Sequence, residues 1–176
     1  MEHSSYDLIL RVLFDFPEKE FSLTELARSS RLPKSTASRM LERLRKEKLV
    51  VVKEKGRIFL IRANSEDESF MRKKMLNNLS RVFDSGIVEK LNRSFHEPKA
   101  IVLFGSYRYG VDVSSSDVDL AVETSSSEGF SEIEEFRKFF GKSVQIHKFS
   151  RKKVDLKVFN NIANGIVLSG YLEVNK

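Results

Sequence analysis

Apolar positions recur at three- and four-residue spacing over Tyr6–Phe14, where Leu8, Ile9, Val12 and Leu13 fall on one side. This predicts a first helix, which Pro17 ends. Ser22-Leu23-Thr24-Glu25 reads as a capping box, with the Ser22 hydroxyl and the Glu25 carboxylate satisfying each other's backbone amides. It opens a short helix to about Arg28. Ser29-Ser30-Arg31-Leu32-Pro33 reads as a tight turn, and Pro33 suits the first turn of a helix from Lys34 to about Lys48. That helix carries Ala37, Met40, Leu41 and Leu44 on one face, and Lys34, Ser35, Ser38, Arg39, Glu42 and Arg43 on the other. The period then drops to two. Leu49–Lys53 and Arg57–Arg62 alternate around Glu54-Lys55-Gly56, which predicts a hairpin with glycine at its turn.

Ser65-Glu66-Asp67-Glu68 reads as a second capping box, opening a helix to about Asp84 with Met71, Met75, Leu79 and Val82 or Phe83 at helical spacing. Met71 and Met75 are read as packing residues rather than as a ligand pair. Ser85-Gly86 breaks this helix, and Ile87–Phe95 forms another. Lys99-Ala100-Ile101-Val102-Leu103-Phe104 ends in an unbroken apolar run, the pattern of a buried strand, and delivers the chain to Gly105-Ser106. After ten further residues Asp117-Val118-Asp119 leads into Leu120-Ala121-Val122. No internal repeat is visible.

Composition narrows the class. The chain has 176 residues, 40% hydrophobic and 32% charged, with only 3 Pro and 8 Gly, which excludes a low-complexity or collagen-like chain. No apolar run approaches the roughly 20 residues of a membrane span. Met1-Glu2-His3-Ser4 lacks the basic-then-apolar pattern of a signal peptide. With no cysteine, a disulfide scaffold and a thiolate zinc site are excluded, and the scattered His3, His96 and His147 make no histidine cage. A cytoplasmic location is expected. The net charge of +6 is unevenly distributed: +5 over residues 1–64, +1 over 65–99, −5 over 100–140 and +5 over 141–176. A basic head suits a polyanion, and an acidic centre flanked by cations suits a carboxylate site.

Helix–turn–helix followed by a basic-tipped hairpin is the winged-helix plan. Phe21–Arg62 resembles that family, down to the Leu32-Pro33-Lys34-Ser35-Thr36-Ala37-Ser38-Arg39-Met40-Leu41 run of a recognition helix. The resemblance implies that duplex DNA is held by Lys34, Ser35, Ser38, Arg39 and Arg43, with Lys53, Lys55 and Arg57 on the wing along an adjacent groove. Small hydroxyl residues at a helix start let the backbone approach phosphates, and arginines reach base edges. The alternative is a winged helix used for protein contacts or dimerisation.

Gly105, Ser106, Asp117 and Asp119, with ten residues between the two pairs, match the signature of the nucleotidyltransferase superfamily that includes DNA polymerase beta. Tyr107-Arg108-Tyr109-Gly110, Ser116 before Asp117, and Asn164-Gly165-Ile166-Val167-Leu168-Ser169-Gly170 resemble its minimal members over about Lys99–Leu172. The resemblance implies catalytic and metal-binding roles for Asp117 and Asp119, and nucleotide binding by Gly105, Ser106 and Arg108. Glycine lets the main chain turn sharply beside a triphosphate. Amides and the Ser106 hydroxyl at a helix start suit phosphate oxygens. Two carboxylates two residues apart on a strand share a face and offer hard oxygens to Mg²⁺, or to Mn²⁺. The alternatives are a strand-end turn with exposed acids for the Asp pair, and a plain surface role for Arg108.

One departure qualifies the implied activity. The third carboxylate of the family's next strand falls here on Gln145, within Gly141-Lys142-Ser143-Val144-Gln145-Ile146-His147. An amide carbonyl brings no charge and accepts no proton. His147 shares the face of Gln145, as a contributor or as a structural residue. Asp155, in Lys152-Lys153-Val154-Asp155-Leu156, imitates the missing motif too close to the C-terminal signature to align. The expected fold is α+β, a winged helix over residues 1–64, connecting helices over 65–97, and a nucleotidyltransferase-like domain over 98–176 whose small mixed sheet is flanked by helices. The expected function is nucleotide and metal binding with DNA binding by the head, the implied reaction being transfer of a nucleoside monophosphate from an NTP, with ATP the first candidate. The alternative is a nucleotide-sensing transcription regulator that has lost catalysis. A second copy of the chain, or a separate helical toxin-like protein, are the protein partners to consider.

Overall fold

The computed structural model describes residues 4–56 and 58–174. The chain divides into two compact units, residues 1–74 and 75–176. No helix among the described residues is long and apolar enough to cross a membrane.

The first unit holds α1 (Ser5–Asp15), α2 (Leu23–Ser29), α3 (Lys34–Lys46), β1 (Val50–Lys55) and β2 (Ile58–Ala63), and the opening of α4 (Glu68–Asp84). Ser4 and Asp7 form a capping box ahead of α1, and Ser22 and Glu25 form the expected one ahead of α2, where Glu25 N donates to Ser22 Oγ at 3.2 Å and Ser22 N donates to Glu25 Oε2 at 2.8 Å. Pro33 stands at the N-cap of α3, its carbonyl accepting from Ala37 N at 3.0 Å. α3 ends two residues earlier than its pattern implies, because Lys48 adopts a left-handed φ of 58° that turns the chain into the hairpin. The apolar faces of the helices meet in a core of Ile9, Leu13, Phe21, Leu26, Ala37, Leu44, Leu49 and Ile61. Phe21 and Ile61 exchange both backbone hydrogen bonds at 2.8 Å, tying the α1–α2 connection to the hairpin. The second capping box does not form. Asp67 rather than Ser65 caps α4, its Oδ1 accepting from Ser69 N at 2.8 Å and Phe70 N at 3.3 Å, because a helix beginning at Glu68 puts Asp67 where its short carboxylate reaches the free amides.

The second unit takes the end of α4, then α5 (Ile87–Ser94), β3 (Ala100–Phe104), α6 (Gly105–Tyr109), β4 (Val118–Glu123), α7 (Ile133–Phe140), β5 (Val144–Phe149), α8 (Leu156–Ala163) and β6 (Ile166–Gly170). The four strands lie in the order β5-β4-β3-β6. β4 and β5 are parallel, joined across α7, and the other pairs are antiparallel. Alternation along the strands splits the side chains between two faces. Ile101, Leu103, Val118, Leu120, Val122 and Val144 pack with Val82, Leu91, Phe136 and Phe140 from the helices on one face. On the other, Ala100, Val102, Ala121 and Phe149 pack under Phe159 and Ile162 of α8. α8 covers only part of that second face, and the remainder carries the polar side chains described next.

Candidate functional site

β3 ends at Phe104, and Gly105 turns the chain into α6 with a φ of +73°, a left-handed value that L side chains rarely adopt. The turn is also closed to any side chain. A Cβ on Gly105 would stand 2.5 Å from Asp119 Oδ2 and 3.3 Å from Asp119 Cγ. The glycine therefore meets two separate demands, backbone conformation and room for a carboxylate against the main chain. Ser106 follows at the start of α6, half-buried. Arg108 is half-buried as well, its guanidinium stacked 4.0 Å from the Tyr109 ring.

Asp117 and Asp119 flank Val118, which is fully buried. Strand alternation therefore turns both carboxylates toward the opposite face, the one α8 leaves partly open. In register, Asp119 stands between Phe104 on β3 and Gln145 on β5, and Ala121 stands beside His147. Gln145 is thus the lateral neighbour of Asp119, exposed, its Nε2 donating to Ser143 Oγ at 3.3 Å. His147 Nε2 lies 3.3 Å from Asp119 Oδ1, and its ring meets Phe104 edge to face at 5.2 Å between centroids. Asp119 accordingly has one oxygen against the Gly105 turn and the other facing an imidazole.

The segment between α6 and β4 is held from below by buried polar groups. Asn78 Nδ2 donates to Tyr107 O at 2.9 Å and to Asp112 Oδ1 at 2.8 Å, and Lys142 Nζ lies 3.4 Å from Asp112 Oδ2. Lys142 also donates to Val113 O. Ser116 Oγ accepts from Val113 N at 2.9 Å, and Val118 N donates to Ser143 O at 2.8 Å, so Asp117 enters β4 from a loop pinned on both sides. Sequence pattern does not reveal this support, because Val111-Asp112-Val113 turns its valines outward and its acid inward, the reverse of the usual preference. Asp155 has another occupation. It caps α8, its Oδ1 accepting from Lys157 N at 2.9 Å and Val158 N at 3.4 Å.

The donor set suits a hard divalent cation in part. Asp117 and Asp119 offer carboxylate oxygens, yet among the described residues no group of three or more His, Cys, Asp or Glu side chains is placed to hold a metal. The residues present fit a cation whose remaining ligands are supplied by a bound phosphate and water rather than a closed protein cage.

In the first unit, Lys34, Ser35, Ser38, Arg39, Arg43, Lys53 and Lys55 are all exposed, while Arg57 lies outside the described residues. Arg39 makes no side-chain hydrogen bond or ion pair among the described residues. Arg43 is committed: Nε donates to Glu47 Oε1 at 2.9 Å and its guanidinium lies 4.2 Å from the Tyr6 ring. Tyr6 in turn donates to Glu47. Burial and the Glu47 carboxylate push the Tyr6 phenol up, and the phenol's hydrogen bond holds Glu47 below the usual carboxylate range, with Arg43 and Lys73 adding to the effect.

Residues 85–169 match the family model for a nucleotidyltransferase domain, and residues 9–54 match that for the IclR helix-turn-helix domain. The first match begins at Ser85 and so takes in α5 with the sheet. No curated protein matches the chain at a significant level.

Proposed function

From a chain that carries a nucleotidyltransferase domain behind an IclR-type helix-turn-helix domain, we propose a protein that binds a nucleoside triphosphate, ATP first among them, together with Mg²⁺ or Mn²⁺. Asp117 and Asp119 hold the cation, and Gly105, Ser106 and Arg108 receive the phosphates. The reaction this implies is attack of an acceptor on the α-phosphorus, with pyrophosphate leaving and the nucleoside monophosphate retained on the acceptor. The cation neutralises charge on the phosphate oxygens when it is bound. The observation that carries the reading is the approach of Asp119 Oδ2 to Gly105, with a 2.5 Å gap to a Cβ that is not there. A phosphate cradled by that turn lies beside the carboxylate that shares its cation.

The head, taken as residues 1–64, is proposed to hold duplex DNA through Lys34, Ser35, Ser38, Arg39, Arg43, Lys53, Lys55 and Arg57. Residues 65–97 serve as connecting helices and 98–176 as the nucleotide-binding part. Pro33 supplies no side-chain cap to α3, so the first amides of that helix are available to a DNA phosphate. The cytoplasm is the proposed setting.

A second reading has its own support. Gln145 stands in register with Asp119, the place of a third carboxylate in catalytic relatives. A neutral amide there weakens the hold on a second cation and accepts no proton. In this reading the protein senses a nucleotide and regulates transcription without transferring anything. Labelled ATP, GTP, CTP and UTP with Mg²⁺ or Mn²⁺, followed separately for binding and for label transfer, distinguish the two. Replacing Asp117 and Asp119 together by Ala abolishes metal-dependent nucleotide affinity if the site is right. Unchanged affinity in that double variant removes the assignment.

A further inference from the structure

β5 alternates between the two faces of its sheet. Val144 packs on the side of Phe136 and Phe140, so Gln145, His147 and Phe149 belong to the other. Phe149 packs there with Phe159 and Ile162 of α8, whereas Gln145 and His147 are exposed on the part that α8 leaves open. Two polar side chains of β5 are therefore presented beside the Asp119 carboxylate.

They meet it differently. Gln145 stands in register with Asp119 but directs its amide nitrogen along its own strand, to Ser143 Oγ at 3.3 Å. His147 is in register with Ala121, whose methyl group leaves the imidazole room to lean back toward Asp119. Its Nε2 stands 3.3 Å from Asp119 Oδ1, and the Phe104 ring meets the imidazole edge to face at 5.2 Å. The other carboxylate oxygen, Oδ2, lies against the Gly105 turn, which leaves Oδ1 as the oxygen on the β5 side.

The spacing of Nε2 and Oδ1 suits two ligands of one ion. A charge-assisted hydrogen bond from nitrogen to carboxylate closes to about 2.7–2.9 Å. Two donor atoms, each about 2.1 Å from a shared metal ion, stand about 3.0 Å apart at a right angle and about 3.4 Å apart at the tetrahedral angle. The pair is also open to solvent. The His147 side chain is 47% exposed and that of Asp119 24%, so a hydrated cation reaches both without any rearrangement of the core.

We propose that His147 is a metal ligand, and that its Nε2 and Asp119 Oδ1 together hold a first-row transition ion in preference to Mg²⁺. The inference rests on the proposed cation site at Asp117 and Asp119 and names the metal class taken on the β5 side of Asp119, where Gln145 brings no charge. A neutral imidazole ligates through Nε2 with its proton on Nδ1. Affinity for a nitrogen–oxygen pair rises from Mn²⁺ to Co²⁺ and beyond, whereas Mg²⁺ keeps to oxygen ligands and gives up water reluctantly. Two protein donors leave the rest of the shell to phosphate and water, and among the described residues no third His, Cys, Asp or Glu joins them.

Titration of Mn²⁺, Co²⁺ and Mg²⁺ into the full chain with ATP tests it, beside pulsed electron paramagnetic resonance of the bound Mn²⁺. Protein carrying ¹⁵N-histidine tells imidazole nitrogen from the nitrogens of ATP. The expected result is ¹⁵N coupling to Mn²⁺ in the native chain, lost in His147→Ala. That variant replaces an exposed side chain, and it should weaken Mn²⁺ and Co²⁺ by at least about tenfold while leaving Mg²⁺ affinity unchanged. Bound Mn²⁺ without ¹⁵N coupling overturns the proposal, and so does a His147→Ala chain that weakens all three ions alike, since the imidazole then only positions the carboxylate. A native chain that binds no Mn²⁺, or one whose Mn²⁺ persists when Asp117 and Asp119 are both Ala, removes the cation site itself and this inference with it.

Discussion

Replacing Gly105 with alanine separates two demands made on one position. The first is conformational: a φ of +73° costs an L-residue about 1–2 kcal/mol relative to glycine. The second is steric. The new methyl would stand 2.5 Å from Asp119 Oδ2, where ordinary contact begins at 3.4 Å, so the carboxylate must retreat by roughly 0.9 Å. Its other oxygen already faces His147 at 3.3 Å, and Phe104 stands behind that imidazole, which leaves little room to yield on that side. If Asp119 holds a cation as proposed, displacing its carboxylate should cost about 1.5–3 kcal/mol, roughly 10- to 100-fold in metal-dependent nucleotide affinity. Calorimetric titration of Mg²⁺ with ATP reads the second effect, and hydrogen exchange at the β3 and β4 amides reads the first. A cycle with Asp119→Ala makes the argument strict, because removing that carboxylate relieves the clash but not the left-handed backbone. The double variant should be more stable than the sum of the single changes by on the order of 1 kcal/mol. Strict additivity would mean that Gly105 and Asp119 are not in contact, and the reasoning that joins turn to carboxylate would fall.

Gln145→Asp should tighten Mn²⁺ binding and raise nucleotidyl transfer above that of the native protein, measured by metal titration and label transfer; robust native transfer indifferent to Gln145→Ala would refute the role given to that amide. Arg39→Ala or Arg43→Ala should lower sequence preference in DNA binding by about 1–3 kcal/mol if that arginine reads a base, and Arg43→Ala should lower stability as well, because Arg43 is also engaged by Glu47 and Tyr6; fluorescence anisotropy across a salt series, beside thermal melts, reads the two effects. Glu47 and Glu25 are held below the usual carboxylate range, by the Tyr6 hydrogen bond and by the Ser22 amide respectively. The stability they contribute is therefore full above the unfolded-state value, about 4.3, and is lost as pH falls through their lowered folded values. Glu47→Gln should flatten that acid limb in a pH series of denaturant melts, and an unchanged limb would mean the Tyr6–Glu47 contact contributes nothing.

Local chemistry made most of the first unit legible. The Ser22–Glu25 box, Pro33 and Gly56 act within a few residues, so α2, α3 and the hairpin follow from neighbours alone. The Ser65 box failed for an equally local reason. Ser and Asp two residues apart both invite a helix start, and only the chain's entry into α4 decides that Asp67 reaches the amides. Lys48 ends α3 early through a left-handed turn at a residue whose side chain carries no signal for it.

The site divides along the same line. The proposed site residues Gly105, Ser106, Asp117 and Asp119 lie along one chain segment, so their spacing and the turn at Gly105 can be read from sequence. What surrounds them depends on register between segments far apart in sequence. β4 and β5 pair in parallel only after a crossover through α7, and that pairing sets Gln145 beside Asp119 and brings His147 to its free oxygen. A pattern of alternating residues records which face a side chain takes, not which neighbour it meets there. The same limit explains Asp155, whose local motif resembles a third acid while its carboxylate is spent on the amides of α8. It also explains Glu123 and Asp112, acids on or near β4 that are buried, Asp112 as half of an ion pair with Lys142. Four acids therefore occupy one short stretch of chain with four different surroundings: Asp112 paired with Lys142, Asp117 half-buried beside an open face, Asp119 between a glycine turn and an imidazole, and Glu123 buried at the far end of β4. Asp117 and Asp119 are the two that the proposed cation site uses, and the neutral Gln145 stands in register beside Asp119.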